Sequence, residues 1–414
     1  MRAAVLGSGG REHALQWVLR RDPDVEIVFA LPGNGGTDNS VAVDPGDPAA
    51  IVQACEEKAV DLLVVGPEAP LAAGIVDEFC GRRTHVVGPS RSAARLESSK
   101  IWAKAFMTRQ GIPTAEYTPV GSRADLAAFA ARHGGGAVLK ADGLAGGKGV
   151  SVCRSPEDIE REWLRITALR PAEGRYLAEE RLDGWELSIH VLTDGSAWWL
   201  LPTSQDHKQL LDGDRGPNTG GMGAFSPVAA CDSELTARII HEIVEPTIVG
   251  LGEEGIGYHG FLYFGLMITD SGPKVLEYNV RLGDPETQVL VPAVLSGLSS
   301  ALVASVEGNL AANPLEFGSG SRAGVVLASA GYPARPETGE TLRGLDAASE
   351  TALIFHAGTK RQGAEIRTSG GRVLAVVGQG VHLEDAVVHA YAACRRIAFE
   401  GMHFRADIGR RDVR

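Results

Sequence analysis

Glu277 and Asn279 stand two residues apart in a strand-like run over 274–280, so both side chains leave one face of an extended chain. Arg281 continues that face. A carboxylate and an amide oxygen side by side make a hard-oxygen half-site, suited to Mg²⁺ held jointly with ATP phosphates. A guanidinium beside them can neutralise a transferring phosphoryl group. Alone, the same spacing also describes an amphipathic strand whose polar face meets water. Arg281-Leu282-Gly283-Asp284-Pro285-Glu286-Thr287-Gln288 then forms a dense polar turn before the apolar stretch 289–295. Two more polar loops are Ser204-Gln205-Asp206-His207-Lys208 and Gly216-Pro217-Asn218-Thr219-Gly220-Gly221-Met222-Gly223. Long loops inside a compact protein tend to be functional.

Two glycine-rich loops could cradle phosphate. Gly7-Ser8-Gly9-Gly10-Arg11-Glu12-His13 follows a strand and opens a helix, where backbone N–H groups favour anions. A dinucleotide fingerprint needs a third glycine where Glu12 stands, so NAD is disfavoured and a phosphate or phosphosugar remains. The second loop is Lys140-Ala141-Asp142-Gly143-Leu144-Ala145-Gly146-Gly147-Lys148-Gly149. It is no Walker A loop, because Asp142 and Gly149 fall where Gly and Ser/Thr are required. Strand-like flanks at 137–139 and 150–152 put it at a hairpin tip. Its glycines free the backbone to close over an anion, and Lys140 and Lys148 supply charge.

These loops need a frame. Residues 3–6, 25–31, 62–65 and 85–87 read as strands and 11–20 and 49–58 as helices, the alternation of a doubly wound parallel sheet. A helix over 100–110 ends at Gly111-Ile112-Pro113. Strand runs at 137–140, 150–153 and 176–179 suggest a small α+β module, and 186–201 and 259–280 are strand-rich. The Gly/Ser-rich stretch 314–322 is a linker candidate. Short strands at 324–329, 352–356 and 372–377 and a helix over 383–397 follow. The expected divisions are 1–100, 101–318 with a lid of about 120–187, and 319–414.

Asp plus Glu outnumber Lys plus Arg by 52 to 40, a balance opposite to that of a general nucleic-acid binder. The five cysteines are scattered and odd in number, which fits a reducing compartment. No apolar run reaches membrane-spanning length, so a soluble, cytoplasmic protein without membrane partners is expected.

Together these segments resemble the phosphoribosylamine–glycine ligases (glycinamide ribonucleotide synthetases) of the ATP-grasp superfamily. The similar stretches are 7–15, 32–36, 64–71, 140–150, 179–184, 203–208, 216–227, 260–267, 277–288, 356–360 and 370–374, with 281–288 the most specific. The resemblance implies an α/β and α+β multidomain fold: an N-terminal doubly wound sheet, an ATP-grasp core with a small lid, and a β-rich C-terminal domain. It implies that ATP phosphorylates the glycine carboxylate and that the amine of 5-phosphoribosylamine attacks the acyl phosphate. Such chemistry needs charge clamping, alignment and water exclusion rather than a protein nucleophile.

Carried over by the same resemblance, Lys140, Asp142, Gly143, Gly146, Gly147, Lys148 and Gly149 form the phosphate-covering lid. Glu179, Glu180 and Leu182 belong to the adenine hinge, and Glu186 is the ribose contact. Glu277 and Asn279 become the Mg²⁺ or Mn²⁺ ligands. Arg281, Gly283, Asp284 and Pro285 hold the reacting carboxylate and its phosphate, with Arg281, Lys140 and Asp284 as catalytic groups. Gly10, Asn34, Gly36, Pro67, Glu68, Asp206, Lys208, Asn218, Thr219, Gly220, Gly221 and Met222 surround phosphoribosylamine. The chain departs from the family pattern at Gly146, at Trp185 and in a shortened 168–175 segment, which bears on lid closure. A monomer is expected, with a dimer as the alternative. Another ATP-grasp carboxylate–amine ligase, or a binder of nucleotide without catalysis, would share many of these residues.

Overall fold

The computed structural model describes residues 1–146, 149–168 and 174–410. Its N-terminal sheet is parallel, in the order Ile27–Pro32, Arg2–Gly7, Leu62–Val65, His85–Val87. The first strand has no polar alternation because both faces are covered: Ala3, Ala4, Val5 and Leu6 are all buried. Helices Gly10–Leu19 and Pro48–Glu57 are among the covering elements, and Asp47 caps the second by accepting from Ala49 and Ala50 N–H.

A second sheet is antiparallel, in the order Tyr117–Val120, Tyr176–Glu179, Ala137–Ala141, Val150–Cys153. With helices Arg123–Arg132 and Pro156–Ala168 it encloses its own core, including Val120, Leu126, Phe129, Leu139, Ile159 and Ile166. The glycine-rich loop joins its two hairpin strands, Ala137–Ala141 and Val150–Cys153.

The sheet that carries the carboxylate–amide pair is ordered Trp198–Leu200, Trp185–Thr193, Gly260–Thr269, Gly272–Asn279. Strand alternation divides its residues. Leu187, Ile189, Val191, Leu262, Phe264 and Leu266 enter the core. Glu186, Ser188 and His190 lie opposite Met267, Gly265 and Tyr263, which continue to Glu277 and Asn279 on the other face.

A five-stranded sheet runs Gln205–Asp206, Gly223–Ser226, Ser321–Ala328, Arg372–Gly380, Leu353–His356. Helix Leu383–Cys394 packs on it. Its first two strands belong to the polar loops read from sequence, so those loops are built into the same sheet as the C-terminal strands. The stretch 314–322 is also structured: Glu316–Phe317 pairs with Val294–Ser296, and Arg322 lies inside a strand. The hairpin Thr359–Gln362 with Glu365–Thr368 escaped the sequence reading, because its polar residues carry no apolar alternation.

Candidate active site

The sheets and the N-terminal unit enclose a cleft of about 510 Å³. On one side lie Val138, Val152, Leu276, Met107 and Met267, with the hinge residues Glu180, Arg181 and Leu182. This is an apolar slot of the kind that takes a flat heterocycle. Glu180 is fixed from both directions: its N–H donates to the Glu116 carbonyl at 2.9 Å, and its Oε1 accepts from Lys274 Nζ at 3.2 Å.

Two buried lysines meet one carboxylate beside the slot. Lys140 Nζ donates to Glu179 Oε2 at 2.9 Å and to the Leu276 carbonyl at 3.0 Å. A register shift in the pairing of Gly265 and Leu266 frees that carbonyl from the ladder. Lys104 Nζ lies 3.0 Å from Glu179 Oε2 and donates to Thr114 Oγ1 at 2.7 Å. Burial pulls the Lys104 ammonium down to about 8, against the opposing pull of Glu179. Lys100, one helical turn away, is also lowered by burial. Lys100 and Lys104 were missed from sequence, although their four-residue spacing puts both on one face of helix Lys100–Arg109. Gly143, Gly146 and Gly149 line the cleft, and Gly143 and Gly146 adopt positive φ with open space at their Cα. Gly147, Lys148 and most of the shortened 168–175 segment lie outside the described residues.

The other side is a lattice of opposite charges. Arg281 Nη2 donates to Glu97 Oε1 at 2.8 Å, and its Nε to Glu68 Oε2 at 3.3 Å. Burial opposes the Arg281 charge, but Glu97, Glu68, Glu286 and Glu277 hold the guanidinium more firmly protonated than usual. Burial also works against the Glu277 carboxylate, yet Lys208, Lys140, Lys100 and Arg281 keep its pKa below the ordinary range. Lys208 Nζ donates to Glu186 Oε2 at 2.7 Å and lies 3.9 Å from both Asp206 and Glu277. Burial raises Asp206 well above a normal carboxyl in spite of Lys208. Burial lifts Glu97 to about 7, with Arg281 pulling the other way.

The turn after the strand is held from three elements. The Gly283 N–H donates to His190 Nε2 at 3.2 Å. Burial, assisted by Arg281, lowers His190 to about 3, so its ring stays neutral and can accept. Asp284 Oδ1 accepts from Gln288 Nε2 at 2.7 Å, and Arg372 Nη2 reaches Asp284 Oδ2 at 2.8 Å. Arg372 also donates to the carbonyls of Asp284 and Gly220.

The cleft brings together Pro67, Glu68, Lys140, Gly143, Gly146, Gly149, Glu179, Glu180, Leu182, Glu186, Asp206, Lys208, Asn218, Thr219, Gly220, Glu277, Asn279, Arg281, Gly283 and Asp284 from the sequence reading. Seven further predicted residues are not part of this lining, and each has its own contacts beside it. Asp142 accepts from Ser99 Oγ at 3.2 Å and from Ile101 N–H at 3.2 Å, so it anchors the loop to the start of helix Lys100–Arg109. The Asn34 amide is occupied by the carbonyls of Ser8 and His356 and by the Gly36 N–H, at 2.9, 2.7 and 2.9 Å. Gly36 is required because a Cβ there would meet His356 and His13. Gly10 packs under Gln288, Gly221 against Pro285, and Met222 is fully buried. These residues shape the wall through packing.

A divalent cation fits the donor set. An Asn279 amide atom lies 2.8 Å from Glu97 Oε1 and 3.3 Å from Arg281 Nη2; assigned as nitrogen to suit the carboxylate, it leaves the amide oxygen to the cleft. Gly265 sits opposite Glu277, where a side chain would crowd the carboxylate. Among the described residues no group of three His, Cys, Asp or Glu side chains forms a complete protein cage. Two hard oxygens suit an ion completed by phosphate and water.

Comparisons with known proteins agree with this geometry. Residues 1–97, 98–287 and 322–411 match the N domain, the ATP-grasp (A) domain and the C domain of phosphoribosylglycinamide synthetase. Phosphoribosylamine–glycine ligase of Ralstonia nicotianae is 46% identical over 100% of both chains. That of Neisseria meningitidis serogroup A is 43% identical over 99% of this chain and 98% of its own. The crystal structure of the Thermotoga maritima ligase superposes with a TM-score of 0.84, at 38% identity, covering 98% of this chain and 100% of that one. A biotin carboxylase domain from Hydrogenobacter thermophilus shares the fold, with a TM-score of 0.70 at 16% identity over 97% of this chain and 91% of that one. The chain belongs to the phosphoribosylglycinamide synthetase family, an ATP-dependent ligase family of purine biosynthesis that uses a divalent cation.

Proposed function

We propose that the cleft joins glycine to 5-phosphoribosylamine through glycyl phosphate, giving glycinamide ribonucleotide, ADP and phosphate. The observation that carries this is the union in one cleft of the Lys104–Glu179–Lys140 cluster, the Glu277–Asn279 pair and the Arg281–Asp284–Arg372 lattice. Adenine enters the apolar slot along the hinge, and Glu186 lies where a ribose hydroxyl would reach it. Lys140 and Lys104, held in place by Glu179, attract the phosphate chain, and the glycine-rich loop closes over it. Glu277 and Asn279 hold Mg²⁺ or Mn²⁺, which supplies Lewis-acid neutralisation of the phosphate oxygens when bound.

Arg281 orients the glycine carboxylate toward the γ-phosphoryl group and balances the negative charge that develops there. Glu68, Asp206, Lys208 and the 218–220 loop face the open end, where the phosphoribosylamine nitrogen attacks. The reading takes the divisions 1–100, 101–318 and 319–414, with a lid of about 120–187, and draws its cleft residues from all three. The chain acts as a monomer in this reading, with a dimer as the alternative.

ADP release tests the reading, with phosphoribosylamine made in situ from ribose 5-phosphate and ammonia. Release must need glycine and the amine together. ADP release that persists without either substrate, or that needs a different amine, overturns it.

A further inference from the structure

We propose that Glu97 is a positioning residue that sets the orientation of the Asn279 amide and the Arg281 guanidinium together. This rests on the reading of Glu277 and Asn279 as the cation's ligands. Glu97 lies between the N-terminal sheet and helix Lys100–Arg109, far in sequence from the strand it serves. Its Oε2 accepts from the Val280 N–H at 2.8 Å. Its Oε1 accepts from Arg281 Nη2 at 2.8 Å, and an Asn279 amide atom lies 2.8 Å from it, which the network assigns as the nitrogen; Arg281 Nη2 is 3.3 Å from that same atom. One buried carboxylate thus takes a donor from each of three consecutive residues.

The chemistry of that group decides which way the amide points. With the Val280 N–H on one oxygen and the Arg281 guanidinium on the other, the group faces the amide as an acceptor, so the amide presents nitrogen to it and turns its oxygen away. The oxygen then belongs to the cleft that Asn279 lines. A glutamine at position 97 has one oxygen and one NH₂ group. Facing three donors, its NH₂ must oppose at least one. With its oxygen kept on the Val280 N–H, the NH₂ faces Asn279 and Arg281 together: the Asn279 amide turns its oxygen inward, which presents nitrogen to the cation, and the Arg281 guanidinium loses its contact. Groups behind a metal ligand change affinity typically by about 10–100-fold when altered.

The test is Mn²⁺ binding to the full chain with ADP present, read from the electron paramagnetic resonance signal of free Mn²⁺. E97Q should weaken Mn²⁺ binding at least about tenfold, while ADP binding without metal stays within about twofold. Glu97→Asp, which keeps an acceptor-only group, should bind Mn²⁺ more tightly than E97Q. Adding Asn279→Asp to E97Q should recover binding, because the new carboxylate accepts from the NH₂ group introduced at position 97. The same Asn279→Asp change in the parent should weaken it, since two carboxylates then face each other. Circular dichroism checks the fold. If E97Q does not fold, Glu97→Asp compared with Glu97→Ala carries the test, and equal loss in both overturns the proposal. Mn²⁺ binding to E97Q within twofold of the parent also overturns it. Failure of Mn²⁺ to bind the parent with ADP would instead remove the cation assignment itself.

Discussion

Asp284 Oδ2 lies 2.8 Å from Nη2 of Arg372, so the polar turn after the Glu277 strand is fastened by a residue from the C-terminal sheet. The pair is largely buried, and Arg372 also holds the Gly220 carbonyl on the facing loop. Breaking a buried pair strands the remaining charge, at a cost of about 3–5 kcal/mol. Arg372→Ala should therefore lower kcat/KM by roughly two to three orders of magnitude, if most of that cost falls on the transition state. Arg372→Lys keeps the charge but loses the forked contact, and should fall in between. Steady-state kinetics with glycine as the varied substrate decides this. Parent-like values for Arg372→Ala would contradict the fastening role.

Glu277→Ala should reduce turnover by orders of magnitude and leave the fold intact. Lys208, Lys140, Lys100 and Arg281 all surround the carboxylate, so the variant leaves an excess of positive charge at the proposed cation site. Turnover near the parent's at saturating ATP and Mg²⁺ would refute the metal assignment.

Lys104→Met should weaken ADP binding by about tenfold, the loss expected for one charge-assisted contact. Lys104 and Lys140 share Glu179, so removal of one cation also leaves the carboxylate partly unbalanced. Titration calorimetry measures the change. Unaltered ADP affinity would show that Lys104 serves only to neutralise Glu179.

His13 gives a stability prediction away from the chemistry. Burial, with the neighbouring His356, lowers its pKa from 6.5 to about 3, and its Nδ1 accepts from the His356 N–H at 2.8 Å. The folded state resists protonation while the unfolded state accepts it below pH 6.5. This stability is complete above pH 6.5 and is lost as pH falls toward 3. From about pH 7.5 to 5.5 the single group costs about 1.4 kcal/mol. His13→Asn can still accept that hydrogen bond, so its urea midpoint should drop less between the two pH values. Equal drops in both chains would count against a neutral buried His13.

The site was legible where its partners are close in sequence. Glu277 and Asn279 follow the two-residue period of one strand, and Arg281 and the polar turn continue directly from its end. Glu186, Ser188 and His190 alternate with Leu187, Ile189 and Val191, a pattern present in the sequence whose meaning depends on the opposite strand. Lys104 meets Glu179, Glu97 meets Arg281 and Arg372 meets Asp284 only after the chain has folded. Asp142 shows the converse, a contact that its local sequence does not announce. Its place in a glycine-rich loop points to phosphate, whereas its carboxylate faces the start of a helix from another segment. The parallel sheet was legible from alternating elements, but the five-stranded sheet draws strands from both sides of a long interval.

That interleaved sheet governs the order in which the protein can be completed during synthesis. Gly223–Ser226 pairs with Ser321–Ala328, which in turn needs Arg372–Gly380. A nascent chain that has emerged only to residue 318 therefore carries an open strand edge, and such edges recruit other chains. The wall containing Asp284 and Gly220 acquires Arg372 only when almost the whole sequence has left the ribosome. A prematurely terminated chain is thus an aggregation hazard as well as an inactive ligase.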